Sequence, residues 1–315
     1  MARVRVTRDL GPPVRLGVSA CLLGENVRAT GGHSRDRFVA QGLGPWVEWV
    51  SVCPEVEMGM PTPRPTIRLV GDGEAPPRLV RSDLTVDHTE GMQTWGEARL
   101  EAMEAERLDG YVFKKNSPSC GLFRVRVYRQ GGMPVRDGRG YFARMLTERF
   151  PLLPVEEDGR LNDPRLRENF IERIFAHQRW RSFLETEASP GGLVRFHTAQ
   201  KLTILAHSPQ RYRELGRIVA DAGRGDLEAT LEDYGALTME ALAVIATRGR
   251  HRNVLEHLMG FLKDDLDAQD KAELIQLIED YQAELVPLVV PLTLLKHHLG
   301  RRDVPDWVHV QSYLD

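Results

Sequence analysis

Cysteine is scarce in this sequence, which has three in 315 residues: Cys21, Cys53 and Cys120. An odd number of cysteines, spaced widely along the chain, is a poor basis for the disulfide framework of a small secreted protein. The three thiols are therefore expected to serve buried packing, metal ligation or nucleophilic catalysis.

The sequence also lacks long apolar runs and an excess of charge of either sign. No run approaches the roughly 18 apolar residues of a membrane helix, and residues 1–12 lack the apolar core of a signal peptide. We therefore expect a cytoplasmic protein with no membrane partner. The formal net charge is −3, which excludes a domain-wide field that attracts polyanions, so a nucleic-acid site must be a local patch.

Two regions with different patterns follow one another along the chain. Residues 13–150 alternate strand-like and helix-like segments, which predicts an α/β domain with a mostly parallel sheet. The rest of the chain has helical periodicity, which predicts an all-α C-terminal domain. The expected boundaries are a first domain over 1–157, a helical linker over 158–192 and a helical domain over 193–315.

Hydrophobic runs of strand length occur at 14–20, 46–52, 110–113 and 123–128. Helical segments are expected at 91–107, 141–150, 165–187, 195–207, 209–222, 227–246, 252–266, 269–285 and 291–298. Residues 54–90 are rich in proline and glycine, so we expect an irregular segment there. A long loop inside a compact domain often has a function, so we expect a functional role for this segment.

Each cysteine follows a strand-like run. Cys21 ends the first run, Cys53 closes the second, and Cys120 comes a few residues after the third. Ligands of parallel α/β sheets bind outside the carboxyl ends of the strands, so the three thiols are expected to meet in one site. The spacing alone leaves three other interpretations open: unrelated buried cysteines, a cysteine-only zinc site with a water, or one catalytic thiol.

Three short segments around these cysteines carry a family resemblance: Val18–Gly24 (VSACLLG), Val52–Glu55 (VCPE) and Asn116–Gly121 (NSPSCG). They resemble, in order and spacing, the three motifs of the thiouracil desulfidase (TudS) family. Pro61–Pro65 resembles the proline-rich loop of that family. Many stand-alone relatives carry a further cysteine after the first motif, where this chain reads Glu25–Arg28.

The C-terminal part resembles the helical domain that is fused to this module in RudS-type proteins, which remove sulfur from 4-thiouridine in tRNA. The resemblance implies a 4Fe–4S cluster with Cys21, Cys53 and Cys120 on three irons, and a fourth iron without a protein thiolate. An open iron is a Lewis acid with affinity for the soft sulfur of a thiocarbonyl. The implied reaction is a hydrolysis that replaces sulfur with oxygen, without net redox change.

Polar residues beside the cysteines are candidates for proton transfer. Glu55 could take a proton from the attacking water and return it to the ring or the leaving sulfur. Ser117 could donate to the substrate or orient the water, and Ser119 is the less favoured alternative. The structural alternatives are a carboxylate at a helix start for Glu55, and hydroxyls that cap a turn for the serines.

Two basic stretches of the helical domain, Arg248–Asn253 and Lys296–Arg302, could bind the phosphates of tRNA, although solvated helix ends are an alternative. The expected function is therefore hydrolytic desulfurisation of 4-thiouridine in tRNA, with thiolated tRNA or a thiopyrimidine nucleotide as the partner. Two alternatives stay open. One is an enzyme for free thiouracil or thiouridine nucleotides, and the other is a non-catalytic, metal-containing nucleic-acid-binding protein.

Overall fold

A computed structural model describes residues 13–73, 75–129, 133–263 and 265–315 of the chain. Residues 1–12, on which the signal-peptide prediction rests, lie outside the described residues. The chain divides into two compact units, Met1–Gln178 and Arg179–Asp315. Among the helices of the described ranges, none combines the length and the hydropathy of a membrane span. The predicted domain boundaries stay a prediction.

The first unit alternates strands and helices. Its strands are β1 (Val14–Ser19), β2 (Val47–Val52), β3 (Ile67–Val70), β4 (Arg78–Arg81), β5 (Gly110–Phe113), β6 (Val125–Tyr128), β7 (Val135–Gly138) and β8 (Val155–Glu157). Its helices are α1 (Pro54–Glu57), α2 (Thr89–Glu106), α3 (Tyr141–Arg149) and the first part of α4 (Pro164–Thr186). Asp163 caps α4 by accepting from the backbone N–H of Arg165 at 2.8 Å, so the helix begins at the proline that the sequence indicates.

Two four-stranded sheets organise this unit. The first is entirely parallel, in the order β2-β1-β5-β8. The second, in the order β4-β3-β6-β7, pairs β3 with β6 in parallel and adds an antiparallel strand at each edge. The predicted α/β class with a mostly parallel sheet is confirmed. Ser19 pairs with Val52, and Val18 pairs with Val112, so β1, β2 and β5 end at one edge.

The central strand β5 is buried on both faces, as a parallel strand covered by helices must be. Tyr111 and Phe113 pack with residues of α2 and α3 on one face. Val112 packs on the other face with Phe170 and Ile174 of α4. This packing fixes the backbone from which the loop to Cys120 departs.

Residues 54–90 are more regular than predicted, because they contain α1, β3 and β4. The expectation of an irregular segment is therefore wrong for these three elements. The prolines of this segment lie before β3 or between β3 and β4, or at the first position of α1, where a missing N–H costs no internal hydrogen bond. The segments between these elements, including the proline-rich loop 61–65, are irregular as expected.

The second unit is helical, and the all-α prediction is confirmed. Its helices after α4 are α5 (Pro190–His207), α6 (Pro209–Asp221), α7 (Leu227–Ala243), α8 (Arg248–Met259), α9 (Ala268–Gln282), α10 (Val289–Leu299) and α11 (Asp306–His309). Its main core joins α5, α8, α9, α10 and α11. Ser189 caps α5 by accepting from the Gly192 N–H, so this helix starts five residues earlier than predicted.

Candidate metal centre

The structure brings the three cysteines to one edge of the parallel sheet. Cys21 lies in a short 3-10 turn, Ala20–Leu22, directly after β1. Cys53 lies between the end of β2 and the start of α1, and Cys120 lies in the loop that follows β5. Because β2, β1 and β5 are neighbours in that order, their carboxyl ends place the three side chains in one region.

The thiols are free, and each acts on the ionisation of another. Burial is the main cause that raises the pKa of Cys21 to about 11, and the charge of Cys53 adds to it. Burial also raises the pKa of Cys120 well above its usual range, with contributions from the charges of Cys53 and Cys21. Burial raises the pKa of Cys53 as well. All three pairs of thiols are therefore within electrostatic reach.

This donor set fits an iron–sulfur cluster, whose irons are held by cysteine thiolates. Within the described residues, no three His, Cys, Asp or Glu side chains are placed to hold a single metal ion. A cluster binds each thiolate through a different iron, which spreads the sulfurs more widely than one ion does. The positive charges of Lys114 and Arg28 oppose part of the rise in the pKa of Cys21 that burial causes.

Glu55 lies in α1, and a buried arginine holds it. Arg64 donates from Nε and Nη2 to Glu55 Oε2, at 2.8 and 2.6 Å. The Arg64 side chain is 2% exposed and that of Glu55 is 14% exposed. Arg64 Nη2 also donates to the carbonyl of Val27 at 2.8 Å, and the sulfur of Cys53 lies 3.8 Å from that carbonyl oxygen. The Arg64 guanidinium therefore links Glu55 to the Val27 carbonyl, which lies beside the sulfur of Cys53.

The structural alternative for Glu55 is a carboxylate that accepts a backbone hydrogen bond at the helix start. At the start of α1, another residue accepts that bond. Glu57 Oε1 accepts from the backbone N–H of Cys53 at 2.8 Å. Glu55 makes side-chain contacts instead, with Arg64 on one oxygen and with Ser119 on the other. Its catalytic role stays a prediction, and its position beside Cys53 is compatible with that role.

The two serines of the third motif have different contacts. Ser119 is buried and donates from Oγ to Glu55 Oε1 at 2.9 Å. Ser117 Oγ accepts from the backbone N–H groups of Ser119 and Cys120, at 3.2 and 3.1 Å. Ser117 therefore caps the turn that carries Cys120, which is the structural alternative stated above, while its hydroxyl hydrogen can still be donated. Ser119 is the serine in contact with Glu55.

The sequence analysis missed two buried carboxylates that hold the Cys120 loop at both of its ends. Glu157, the last residue of β8, accepts from the backbone N–H groups of Leu122 and Phe123 at 2.7 and 3.1 Å. Asp158 accepts from the backbone N–H of Lys115 at 2.8 Å and pairs with the ammonium of Lys114. The run of three acids at Glu156–Asp158, directly after the apolar residues 152–155, is the signal that could have indicated them.

The basic stretches of the second unit already have partners within that unit. Arg248 donates to the carbonyl of Tyr281 at 2.7 Å, and Arg252 pairs with Glu256 at 2.7 Å. Arg302 of the second stretch donates to the carbonyl of Asp265 at 3.2 Å. The docking of RNA on these two stretches stays a prediction.

Comparison with known proteins identifies both parts of the chain. Residues 16–158 match the family model described as 2-thiouracil desulfurase, and residues 201–315 match a model described as a protein of unknown function (DUF1722). Uncharacterized protein YbgA of Escherichia coli (strain K12) is 31% identical over 157 residues, which are 49% of this chain and 92% of YbgA. This chain belongs to the family of YbgA.

Among solved structures, the chain is similar to the 4Fe-4S-dependent thiouracil desulfidase TudS. The identity is 29%, over 48% of this chain and 94% of that chain, with a TM-score of 0.39. The predicted arrangement, a TudS-type domain joined to a helical C-terminal domain, is confirmed by the two family models.

Proposed function

We propose that this protein is an iron–sulfur-dependent desulfidase that hydrolyses the carbon–sulfur bond of 4-thiouridine in tRNA and releases uridine and sulfide. The observation that carries the proposal is the convergence of the chain's three cysteines beside a buried Arg64–Glu55 pair. The description of the matched family, 2-thiouracil desulfurase, supports desulfurisation as the reaction. The helical second unit is the part assigned to the RNA.

Cys21, Cys53 and Cys120 would hold a 4Fe–4S cluster and leave one iron without a protein ligand. When bound, the cluster supplies an open, Lewis-acidic iron for the soft sulfur of a thiocarbonyl group. The protein positions the three thiolates by ending β1 and β2 at one edge and by fixing the Cys120 loop with Glu157.

The proton transfers are assigned to Glu55. Its Oε2 accepts two hydrogen bonds from Arg64, whereas its Oε1 accepts one from Ser119, so Oε1 is the oxygen assigned to the attacking water. Glu55 takes one proton from this water and returns it to the leaving sulfur, and the second proton of the water is released to solvent as the carbonyl forms. Ser117 donates a hydrogen bond to the substrate. The water oxygen replaces sulfur on carbon, the sulfur leaves as hydrosulfide, and no electron is gained or lost.

A second candidate function is the desulfurisation of free thiouracil or its nucleotides, and the description of the matched family favours it because it names the free base. The two functions differ in how the reaction depends on salt. RNA bound through several phosphates dissociates steeply as salt rises, whereas a mononucleotide has few phosphate contacts to lose.

The test uses the full-length protein, reconstituted anaerobically with iron and sulfide. We expect about four irons per chain, and release of sulfide from thiolated tRNA that falls steeply between 50 and 200 mM salt. Turnover of 4-thiouridine monophosphate that is faster than turnover of tRNA, and insensitive to salt, would favour the second candidate. Loaded protein that leaves both substrates unchanged would exclude both functions.

A substitution of Glu55 separates an enzyme from a non-catalytic metal protein. Glu55→Gln keeps the shape of the side chain, so we expect the iron content and visible absorption to remain while sulfide release is lost. Glu48→Gln is the matched control, because the Glu48 side chain is 51% exposed and pairs with Arg15 on the surface. If the protein binds metal without catalysis, Glu55→Gln and Glu48→Gln should give the same iron content, visible absorption and sulfide release.

A further inference from the structure

Tyr111 of β5 carries a hydroxyl that the packing around its ring does not explain. Its ring packs directly on the backbone of β1, where a Cβ at Gly17 would lie 2.2 Å from the ring. The rings of Phe113 and Phe142 lie 4.2 and 6.2 Å from it, centroid to centroid. The side chain is fully buried, and within the residues that the structure describes its hydroxyl has no hydrogen-bond partner.

Such a hydroxyl destabilises a protein unless something accepts its hydrogen bond. A buried, unsatisfied hydroxyl costs about 1–3 kcal/mol, and phenylalanine would fill the same space between the same rings without that cost. A tyrosine at this position therefore indicates an acceptor other than the side chains and backbone that surround it.

The position of the hydroxyl points to the metal centre. Tyr111 shares one hydrophobic core with Cys120, and the charge of Cys120 acts on its hydroxyl more strongly than those of Glu57, Arg99 and Cys53. A phenol hydroxyl can donate one hydrogen bond to an anionic neighbour. Because the side chain is fully buried, it approaches the centre from inside the protein and has no access to substrate.

We propose that the Tyr111 hydroxyl donates a hydrogen bond to a sulfur of the iron–sulfur group held by Cys21, Cys53 and Cys120, and so tunes its reduction potential and its retention. The inference rests on the proposed cofactor. Hydrogen bonds to sulfur stabilise the more negative, reduced state of a cluster and raise its potential. Tyr111 is thus a positioning and tuning residue, with no role in proton transfer to substrate.

The experiment compares Tyr111→Phe with Tyr141→Phe in the full-length chain. Tyr141 belongs to the same core, but its hydroxyl donates to Gln93 Oε1 at 2.9 Å. Two quantities are measured for each variant. One is the urea unfolding of cluster-free protein. The other is the midpoint reduction potential of reconstituted protein, together with the rate of iron loss to a chelator.

For Tyr111→Phe we expect cluster-free protein that is as stable as the wild type or more stable. We also expect a more negative potential and roughly tenfold faster iron loss, since one hydrogen bond to a charged acceptor is removed. Tyr141→Phe should weaken the cluster-free protein and leave the potential unchanged.

Two results would overturn the assignment of Tyr111. The first is a cluster-free Tyr111→Phe protein that is less stable to urea than the wild type. That result would mean that the acceptor of the hydrogen bond is a protein atom or a buried water. The second is loaded protein with an unchanged potential. Wild-type protein that takes up no iron under anaerobic reconstitution would overturn the proposed cofactor as well, so the two failures are distinguishable by iron content.

Discussion

Arg64 places two N–H groups on one oxygen of Glu55, with Nε at 2.8 Å and Nη2 at 2.6 Å from Oε2. The same guanidinium donates from Nη1 to the Thr62 hydroxyl at 3.2 Å and from Nη2 to the Val27 carbonyl. One side chain therefore joins the proline-rich loop, the loop after Cys21 and the carboxylate beside Cys53. Arg64 is a positioning residue for the proposed proton acceptor.

Replacing Arg64 with methionine should lower both stability and turnover. The change leaves the Glu55 carboxylate without its cation in a nearly buried site, which costs about 3–5 kcal/mol. Urea unfolding measures the loss of stability, and sulfide release from loaded protein measures the loss of turnover. Arg78→Met is the control, because the Arg78–Asp87 pair is exposed and its loss should cost about 0–1 kcal/mol. Equal effects of the two substitutions would contradict the role given to Arg64.

The two serines of the third motif should respond differently to alanine. Ser119→Ala removes the hydrogen bond to Glu55 Oε1, so we expect sulfide release to fall by about tenfold, with iron content unchanged. Ser117→Ala leaves two backbone N–H groups of the Cys120 turn without their acceptor, so iron retention should fall first. Iron analysis and single-turnover rates separate the two. Ser117→Ala that keeps both its iron and its turnover would contradict the turn-capping role and the proposed donation to substrate alike.

Glu157→Ala should loosen the loop that carries Cys120. The substitution leaves the N–H groups of Leu122 and Phe123 without an acceptor, at a cost of about 2–6 kcal/mol for the two groups together. We expect a lower free energy of unfolding and faster release of iron to a chelator. Glu48→Ala, at an exposed position, should change neither quantity. A Glu157→Ala variant with wild-type iron retention would contradict the proposed restraint.

The second unit should lose stability in mild acid through His197. Burial and the charge of Lys201 lower the pKa of His197 from 6.5 to about 4, and its Nδ1 lies 3.1 Å from the Tyr234 hydroxyl. Between pH 6.5 and 4 the unfolded chain binds a proton here that the folded chain does not. Stability from this residue is therefore complete above pH 6.5 and is lost as pH falls towards 4.

The expected loss from His197 between pH 7 and pH 5 is about 2 kcal/mol in the free energy of unfolding. His197→Gln removes the ionisable ring, so the difference between wild type and variant should shrink at pH 5 relative to pH 7. His309→Gln, at an exposed histidine, should follow the wild-type profile. Parallel profiles for wild type and His197→Gln would contradict the assignment.

Local patterns were sufficient to predict β1, β2 and β5 of the parallel sheet, because these strands are short apolar runs followed by polar loops. The fourth strand, β8 (Val155–Glu157), was not predicted, since two of its three residues are acidic. β1, β2 and β5 lie within a residue of their predicted bounds. The pair β3–β4 was missed, since proline and glycine around each strand dominate the local signal and the strands are stabilised by pairing with one another. The four-residue helix α11 was missed because it is too short for helical periodicity to be detected.

For the metal centre, the sequence contained the ligand type and its placement after strands, and the family motifs indicated Glu55. It contained no signal for the Arg64–Glu55 pair or for the contact of Glu55 with Ser119, because both depend on how three separate loops fold together. The role of the Tyr111 hydroxyl could not be predicted either, because in the sequence Tyr111 is one aromatic residue of an apolar strand. Contacts between distant loops are set by tertiary packing, which residue spacing does not encode.

The restraint of the Cys120 loop by β8 has a consequence for biosynthesis. Cys21 and Cys53 emerge from the ribosome early, but the third thiol is fixed only after Glu157 and Asp158 have been translated and have reached the loop. The loop of the third thiol is therefore restrained only when nearly the whole first unit has left the exit tunnel. For the proposed cofactor, nascent chains that stop before this point should release iron faster than the complete first unit, although they carry all three thiols.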